Sequence, residues 1–92
     1  MAKYLVLLKI DPLKTRDVLN AFKRFPRTPN PGVSLYCTMN VFGTWDIGLW
    51  FDAKNHDQAM NFVHNKIYPI PGVHEAYTIP TTPIKEYTKD WK

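Results

Sequence analysis

The order of elements predicted from this sequence occurs twice, and that duplication constrains the fold more than any other feature. Gly32 and Gly72 lie about 40 residues apart, and each stands between a proline and a valine. Upstream of each glycine lies an apolar, strand-like run followed by a helical pattern. The chain is therefore predicted to fold as two β-α-β units in tandem.

The first half is predicted to contain a strand over residues 3–10 and a helix that ends near Phe25. A proline-rich loop then leads to a strand over residues 33–42. Asp11 suits the helix N-cap, and Pro12 suits the first helical position. Apolar residues at helical spacing form the predicted buried stripe: Val18, Leu19, Phe22 and Phe25.

The second half repeats this plan with a strand over residues 45–51, a helix over residues 56–68 and a strand over residues 73–80. Asn55 suits the N-cap, and Gln58 follows at the spacing of a capping box. Because β-α-β crossovers are right-handed, both helices should cover the same face of the sheet. Two such units predict an α+β domain with the ferredoxin-like order β-α-β-β-α-β.

The sheet face away from the helices is predicted to be apolar as well. Alternation along the third strand places Trp50 on that face, and alternation along the second strand adds Tyr36 and Phe42. The opposite face of the second strand would then carry Val33, Leu35, Cys37, Met39 and Val41. Because a large apolar face is unfavourable in water, a second copy is expected to cover it through a two-fold axis. The sequence thus predicts a homodimer or a larger homo-oligomer.

The length of 92 residues predicts one domain. This domain is expected to span residues 1–82, and the tail over residues 83–92 repeats nothing. Tyr87 and Trp91 in that tail either dock on a partner subunit or belong to a loose end.

Composition argues against several classes of protein. No apolar run approaches the roughly 18 residues of a membrane span. The N-terminal run is short and lacks a signal-peptide cleavage site. The lone Cys37 cannot form an internal disulfide and is expected to pack within a strand. These features predict a cytoplasmic protein. The net charge of +4 is attributed to a solvated helix face, because no nucleic-acid-binding motif accompanies it.

Catalytic and metal-binding motifs are sparse in the sequence. His56, His64 and His74 do not form a recognised metal-ligand spacing. No phosphate-binding glycine loop, nucleophile elbow or Cys–His pair is present. Tyr36 and Tyr77 either donate hydrogen bonds inside a cavity or simply pack in the sheet. The sequence therefore predicts no catalytic residue, no metal and no cofactor.

The segment between the second and third strands carries an unusual aspartate. Gly43 permits a positive φ, as a tight hairpin needs. Asp46 stands at the start of the third strand, although aspartate is depleted in strands. Free backbone N–H groups beside a carboxylate would suit a small zwitterion, with Asp46 binding its ammonium. The alternative is an ordinary hairpin in which Asp46 only stabilises the turn.

Over about residues 3–81, the chain resembles the C-terminal effector-binding module of the Lrp/AsnC (feast/famine) transcriptional regulators. The resemblance rests on the turn Gly43–Asp46, the loop Pro71–Val73 and Thr78 in the strand that follows. It implies a dimeric α/β barrel whose dimers assemble into larger rings. It also implies an effector, an amino acid or a related small molecule, bound where dimers meet.

The family's Gly-x-x-Asp turn lines that pocket and corresponds to Gly43 and Asp46, which makes Phe42, Thr44 and Trp45 candidates for the same pocket. The regulators also carry an N-terminal helix-turn-helix domain, which this sequence lacks. The resemblance therefore implies a stand-alone effector-binding and oligomerisation module that makes no direct contact with nucleic acid. Full-length Lrp/AsnC-type regulators are candidate partners.

Two other functions remain open from the sequence. The same dimeric α/β barrel carries small enzymes of the monooxygenase and isomerase types. Such an enzyme would need an apolar cavity lined by His64 or Tyr36. A purely structural protein that joins full-length regulators in mixed assemblies is the third candidate.

Overall fold

A computed structural model of the chain describes residues 2–85 and residue 87. Its elements, in order, are β1 (Ala2–Ile10), a 3₁₀ turn (Pro12–Lys14), α1 (Thr15–Lys23), β2 (Val33–Asn40), β3 (Ile47–Ala53), α2 (His56–Phe62), a π-helical turn (Val63–Ile67) and β4 (Val73–Thr81). The four strands form one sheet of order β2-β3-β1-β4, and every pair is antiparallel. The predicted ferredoxin-like α+β fold is confirmed.

Both helices pack on one face of this sheet and form the hydrophobic core with it. The buried side chains are Tyr4, Val6, Leu8 and Ile10 of β1, Val33 of β2, Ile47, Leu49, Phe51 and Ala53 of β3, Val18 and Phe22 of α1, and Ala59, Phe62, Val63 and Ile67 from α2 and the turn after it. Phe51 lies at the centre, stacked on Tyr4 at 5.3 Å between ring centroids and edge-on to Phe62 at 5.1 Å. The apolar stripe predicted for the first helix, which includes Val18 and Phe22, is therefore the surface that α1 buries.

The residues that begin the helices differ partly from prediction. Asn55 caps α2, because its side-chain Oδ1 accepts a hydrogen bond from the backbone N–H of Gln58 at 2.9 Å. Asp11 caps a 3₁₀ turn through Leu13, and α1 begins only at Thr15. The predicted capping box is incomplete among the described residues, since the buried Oε1 of Gln58 has no hydrogen-bond partner there.

The duplication in the sequence corresponds to a repeated contact in the structure. Gly32 and Gly72 have φ values of +77° and +100°. A Cβ at Gly32 would lie 2.6 Å from Cδ of Gln58 in α2. A Cβ at Gly72 would lie 2.9 Å from Cγ2 of Val18 in α1. Val18 and Gln58 are separated by the same interval as the two glycines. The glycine of each half therefore packs against the equivalent position on the helix of the other half.

The same glycines also accept equivalent backbone hydrogen bonds. The N–H of Asp11, just after β1, donates to the carbonyl of Gly72 at 2.7 Å. The N–H of Lys54, just after β3, donates to the carbonyl of Gly32 at 2.8 Å. Each strand-to-helix junction is therefore tied to the glycine that leads into another strand.

A β-bulge in β2 changes which side chains share a face. Leu35 pairs with Phe51 of β3, whereas Cys37 pairs with the next residue, Trp50, so that Tyr36 is the extra residue. Beyond the bulge the alternation is shifted by one position. The prediction that Cys37 shares the face of Leu35 is therefore wrong.

The sheet face away from the helices, here the open face, includes the following apolar or small residues: Leu5, Leu7, Cys37, Met39, Val41, Gly48, Trp50, Tyr77 and Ile79. The shift at Tyr36 makes it more apolar than predicted, because Met39 and Val41 now lie beside Leu5 around Gly48. Phe42 does not pack on it: the preceding residue, Val41, lies on this face beside Gly48, and Phe42 itself is 94% exposed.

None of the helices in the described chain combines the length and apolar character needed to cross a membrane.

The described part of the C-terminal tail includes Tyr87. Its side chain is exposed, with Lys85 Nζ 5.0 Å from the ring centroid. Trp91 lies outside the described residues, so its docking on a partner stays a prediction.

Candidate functional site

The connection between β2 and β3 is wider than a tight hairpin. β2 ends at Asn40 and β3 begins at Ile47, and the connection is closed by a hydrogen bond from the Val41 N–H to the Asp46 carbonyl at 3.1 Å. Gly43 has a φ of +102°, as predicted, and a Cβ there would meet nothing within 4 Å. The tip of the turn is therefore open to solvent or to a neighbouring molecule.

Asp46 fastens this turn to the end of β1. Its backbone N–H donates to the carbonyl of Leu8 at 2.8 Å, and its Oδ2 accepts from the N–H of Ile10 at 3.0 Å. The pairing of β1 with β3 ends at Leu8, but β1 continues to Ile10. The Asp46 carboxylate therefore gives the Ile10 N–H the hydrogen-bond acceptor that a backbone carbonyl of β3 would otherwise provide. This is the physical reason for an aspartate at the start of a strand.

Several polar groups of the turn remain available. Within residues 2–85 and 87, the other carboxylate oxygen of Asp46, Oδ1, accepts no hydrogen bond. Over the same range, the backbone N–H groups of Phe42, Gly43, Thr44 and Trp45 donate none. The turn therefore presents hydrogen-bond donors and one fixed carboxylate oxygen together.

Trp45 connects the turn to the far side of β1. Its ring is stacked on Tyr77 of β4, with centroids 6.1 Å apart and planes 15° from parallel. Trp45 is partly buried, whereas Tyr77 is 57% exposed. Tyr77 was not among the predicted site residues, although the sequence analysis named it with Tyr36 as a candidate hydrogen-bond donor. The pairing depends on a contact across β1 that local sequence does not reveal.

The five predicted site residues thus have different surroundings. Asp46 and Trp45 are anchored to neighbouring strands, while Gly43, Thr44 and Phe42 form the exposed tip.

A second polar cluster lies near the edge of the open face. The Tyr36 hydroxyl donates to Oδ2 of Asp52, and Nζ of Lys3 lies 4.4 Å from the centroid of the Tyr36 ring. His64 is exposed and lies beside Tyr68, on the helical side of the sheet, with ring centroids 5.2 Å apart. His64 and Tyr36 therefore do not line a common cavity.

Other features of the described chain offer little chemistry. Every fully buried residue in 2–85 and 87 is apolar or aromatic, and Gln58, whose Oε1 is buried, is half-buried as a whole. The same residues contain no group of three or more His, Cys, Asp or Glu side chains placed to share a metal ion. A shallow surface pocket of about 390 Å³ follows the proline-rich loop over residues 28–34, and none of its lining side chains is charged.

The tethering role of Asp46 gives a first prediction. Asp46→Ala should lower the free energy of unfolding by about 1 kcal/mol without any ligand, because the partly buried N–H of Ile10 loses its acceptor. Asp46→Asn retains a side-chain oxygen and should remain close to wild type. Denaturant unfolding measures both variants at one protein concentration. Equal stability of Asp46→Ala and wild type would contradict the tether.

By sequence, no family model and no curated protein matches the chain. By structure it is similar to FFRP-DM1, with a TM-score of 0.72 and 17% identity, over 89% of this chain and 100% of that one. It is also similar to the transcriptional regulator NMB0573 from Neisseria meningitidis in complex with L-Met, with a TM-score of 0.78 and 13% identity. That match covers 99% of this chain but 56% of the regulator. TTHA0845 from Thermus thermophilus gives a TM-score of 0.75 at 16% identity, over 94% and 99% of the two chains.

The matched structures include Lrp/AsnC-type regulators, and the match to the Neisseria regulator spans about half of that protein. The chain has the fold of the Lrp/AsnC (feast/famine) effector-binding module.

Proposed function

We propose that this chain is an effector-binding and oligomerisation module whose ligand is an amino acid or a similar zwitterion. The observation that carries the proposal is the turn Gly43–Asp46, in which a tethered carboxylate lies beside free backbone N–H groups. The similarity to a regulator in complex with L-Met supports the same chemical class of ligand.

The two charged ends of such a ligand find complementary groups in the turn. Oδ1 of Asp46 accepts a charge-assisted hydrogen bond from the ligand ammonium. The N–H groups of Phe42, Gly43, Thr44 and Trp45 are the donors for the ligand carboxylate. Because Ile10 already holds the Asp46 side chain in place, binding costs little conformational entropy at that residue.

We further propose that two copies pack through their open faces. Both helices lie on the other side of the sheet, so none of the described helices covers this surface. A two-fold axis would place equivalent apolar side chains such as Leu5, Leu7 and Ile79 against one another. The turn tip, with Phe42 94% exposed, is then available for contact with another dimer, which would close the ligand site.

Full-length Lrp/AsnC-type regulators are proposed partners of this module, because mixed assemblies need only the same interfaces. The enzyme alternative is not favoured: the matched structures include named transcriptional regulators, and both His64 and Tyr36 are exposed, whereas a residue that lines an enclosed apolar cavity would be buried.

Thermal-shift measurements with the twenty amino acids test the ligand proposal. At least one should stabilise the wild type, since a ligand at a hundredfold excess over its Kd adds about 2.7 kcal/mol to the native state. Asp46→Asn is the matched variant, because it keeps the acceptor for Ile10 and removes the charge that binds the ammonium. It should lose most of the shift. No shift in the wild type, or an equal shift in both proteins, would contradict the proposal.

A further inference from the structure

We infer that Leu7 of each copy inserts into a depression over Gly48 of the other copy, about a two-fold axis that runs along the strands between β1 and β3. This inference rests on the proposed packing of two copies through their open faces. It adds the residues that fit one copy to the other and the direction of the axis that relates them.

Gly48 has no function within a single chain that requires a glycine. It lies in the interior of β3, between Leu7 of β1 and Met39 of β2. Its φ is not positive, unlike that of Gly43. A Cβ there would lie 3.5 Å from Cγ of Met39 and 3.6 Å from Cδ1 of Leu5, which is ordinary van der Waals contact. Because glycine weakens a strand interior, such a position often marks the close approach of another molecule.

The missing side chain leaves a depression in the centre of the open face. Its walls are apolar, since Leu5, Met39 and Val41 all have carbon atoms within 3.6 Å of the point where a Cβ would stand. Leu7 lies beside it as the register partner on β1, and its side chain is half-buried in the single chain. A large residue next to a small one is the arrangement that lets two facing surfaces interdigitate.

The register of the central strands indicates the direction of the axis. The strand order β2-β3-β1-β4 puts the centre of the face between β3 and β1. An axis along the strands at this centre lays β1 of one copy over β3 of the other, so Leu7 lies over Gly48 twice. An axis across the strands at the same pair would lay Leu7 over Leu7 and Gly48 over Gly48. That arrangement crowds one position and leaves a void at the other.

The same axis also brings opposite charges together at one end of the face. Lys3 and Asp52 are register partners, and they alternate along their strands with Leu5 and Trp50 of the open face. Laying β1 of one copy over β3 of the other brings Lys3 of each copy towards Asp52 of its partner. Both of these pairs are attractive, so the face is complementary to itself in charge as well as in shape.

The size of the open face suits a second copy of the chain. Its strands are 7 to 9 residues long. Four such strands about 4.8 Å apart cover roughly 500 Å² in projection, and the accessible area of a surface of side chains is larger than its projection. This is comparable with the roughly 800 Å² that each partner buries in a standard stable interface.

Sedimentation equilibrium of exchanged side chains tests this inference. Gly48→Leu should weaken dimerisation by about thirtyfold or more, because two added side chains overpack the interface. Leu7→Ala should weaken it by about tenfold or more, because it leaves two cavities. The double variant Leu7→Ala/Gly48→Leu exchanges the large and the small residue. Its Kd should return to within about fivefold of the wild type, whereas independent positions would multiply the two losses.

Two further variants serve as controls. Ile79→Ala/Gly48→Leu removes an equal volume from the edge strand β4 and should not restore dimerisation. Gly48→Ala adds only a Cβ, which the single chain accommodates, so this variant should fold and dimerise several-fold more weakly than the wild type. Circular dichroism establishes that each variant is folded.

The outcomes separate this inference from the packing proposal beneath it. Unchanged dimerisation of Gly48→Leu or Gly48→Ala would overturn the inference and leave the dimer in place. Multiplied losses in the double variant, or equal recovery in the Ile79→Ala control, would also overturn it. A wild type that remains monomeric would remove the proposed dimer, and the inference with it.

Discussion

Gly72→Ala is expected to lower the free energy of unfolding by about 3 kcal/mol, from backbone strain together with overpacking. The φ of +100° disfavours any residue with a Cβ. The added Cβ would also lie 2.7 Å from Cβ of Lys14 and 2.9 Å from Cγ2 of Val18, where α1 begins. Such a contact cannot be relieved without moving the helix. Denaturant unfolding at a fixed protein concentration measures the effect.

Gly43→Ala is the matched control for this prediction. Its φ of +102° is nearly the same, but the added Cβ would meet nothing within 4 Å. Gly43→Ala should therefore lower the free energy of unfolding through backbone strain alone, by about 1 kcal/mol. Equal losses for the two variants would show that contact with α1 contributes nothing, contrary to the packing described for the repeated glycines.

Leu7→Glu is expected to convert the proposed dimer to a monomer. Leu7 lies on the central strand of the open face, opposite Gly48 and Tyr77. A two-fold axis would bury two copies of the new carboxylate in an apolar interface. Association should weaken by about a thousandfold or more, which corresponds to about 4 kcal/mol. Light scattering should give twice the chain mass of 10.7 kDa, or a multiple of that, for the wild type, and 10.7 kDa for the variant.

Leu13→Glu controls for the added charge. Leu13 is 94% exposed in the turn before α1, away from the open face, so this variant should keep the wild-type mass. A monomeric wild type, or a Leu7→Glu variant that remains a dimer, would contradict the proposal that the open face is the interface between copies.

The order of the elements could be predicted because each half carries independent local signals. Asp11 and Asn55 both cap helical segments, and the helical stripe that includes Val18 and Phe22 is buried. The bulge at Tyr36 could not be predicted. Hydrophobic patterning does not fix the register of β2, because its alternate residues Leu35, Cys37 and Met39 are all apolar and fit either face.

In the candidate site, the local turn geometry could be predicted from sequence, whereas the contacts between distant residues could not. The positive φ of Gly43 followed from local turn chemistry. The bond from Ile10 to Asp46 joins residues far apart in sequence, as does the stacking of Trp45 on Tyr77. These contacts depend on the order of strands in the sheet, so they required the structure.

The central claim is that the turn Gly43–Asp46 binds an amino-acid-like ligand. Amide chemical shifts in TROSY spectra, recorded during titration with the amino acid that gives the largest thermal shift, test it most directly. The account predicts saturable shifts at Gly43, Thr44 and Trp45 in the wild type, strongly reduced in Asp46→Asn. Shifts confined to residues away from this turn, or unchanged by Asp46→Asn, would contradict it.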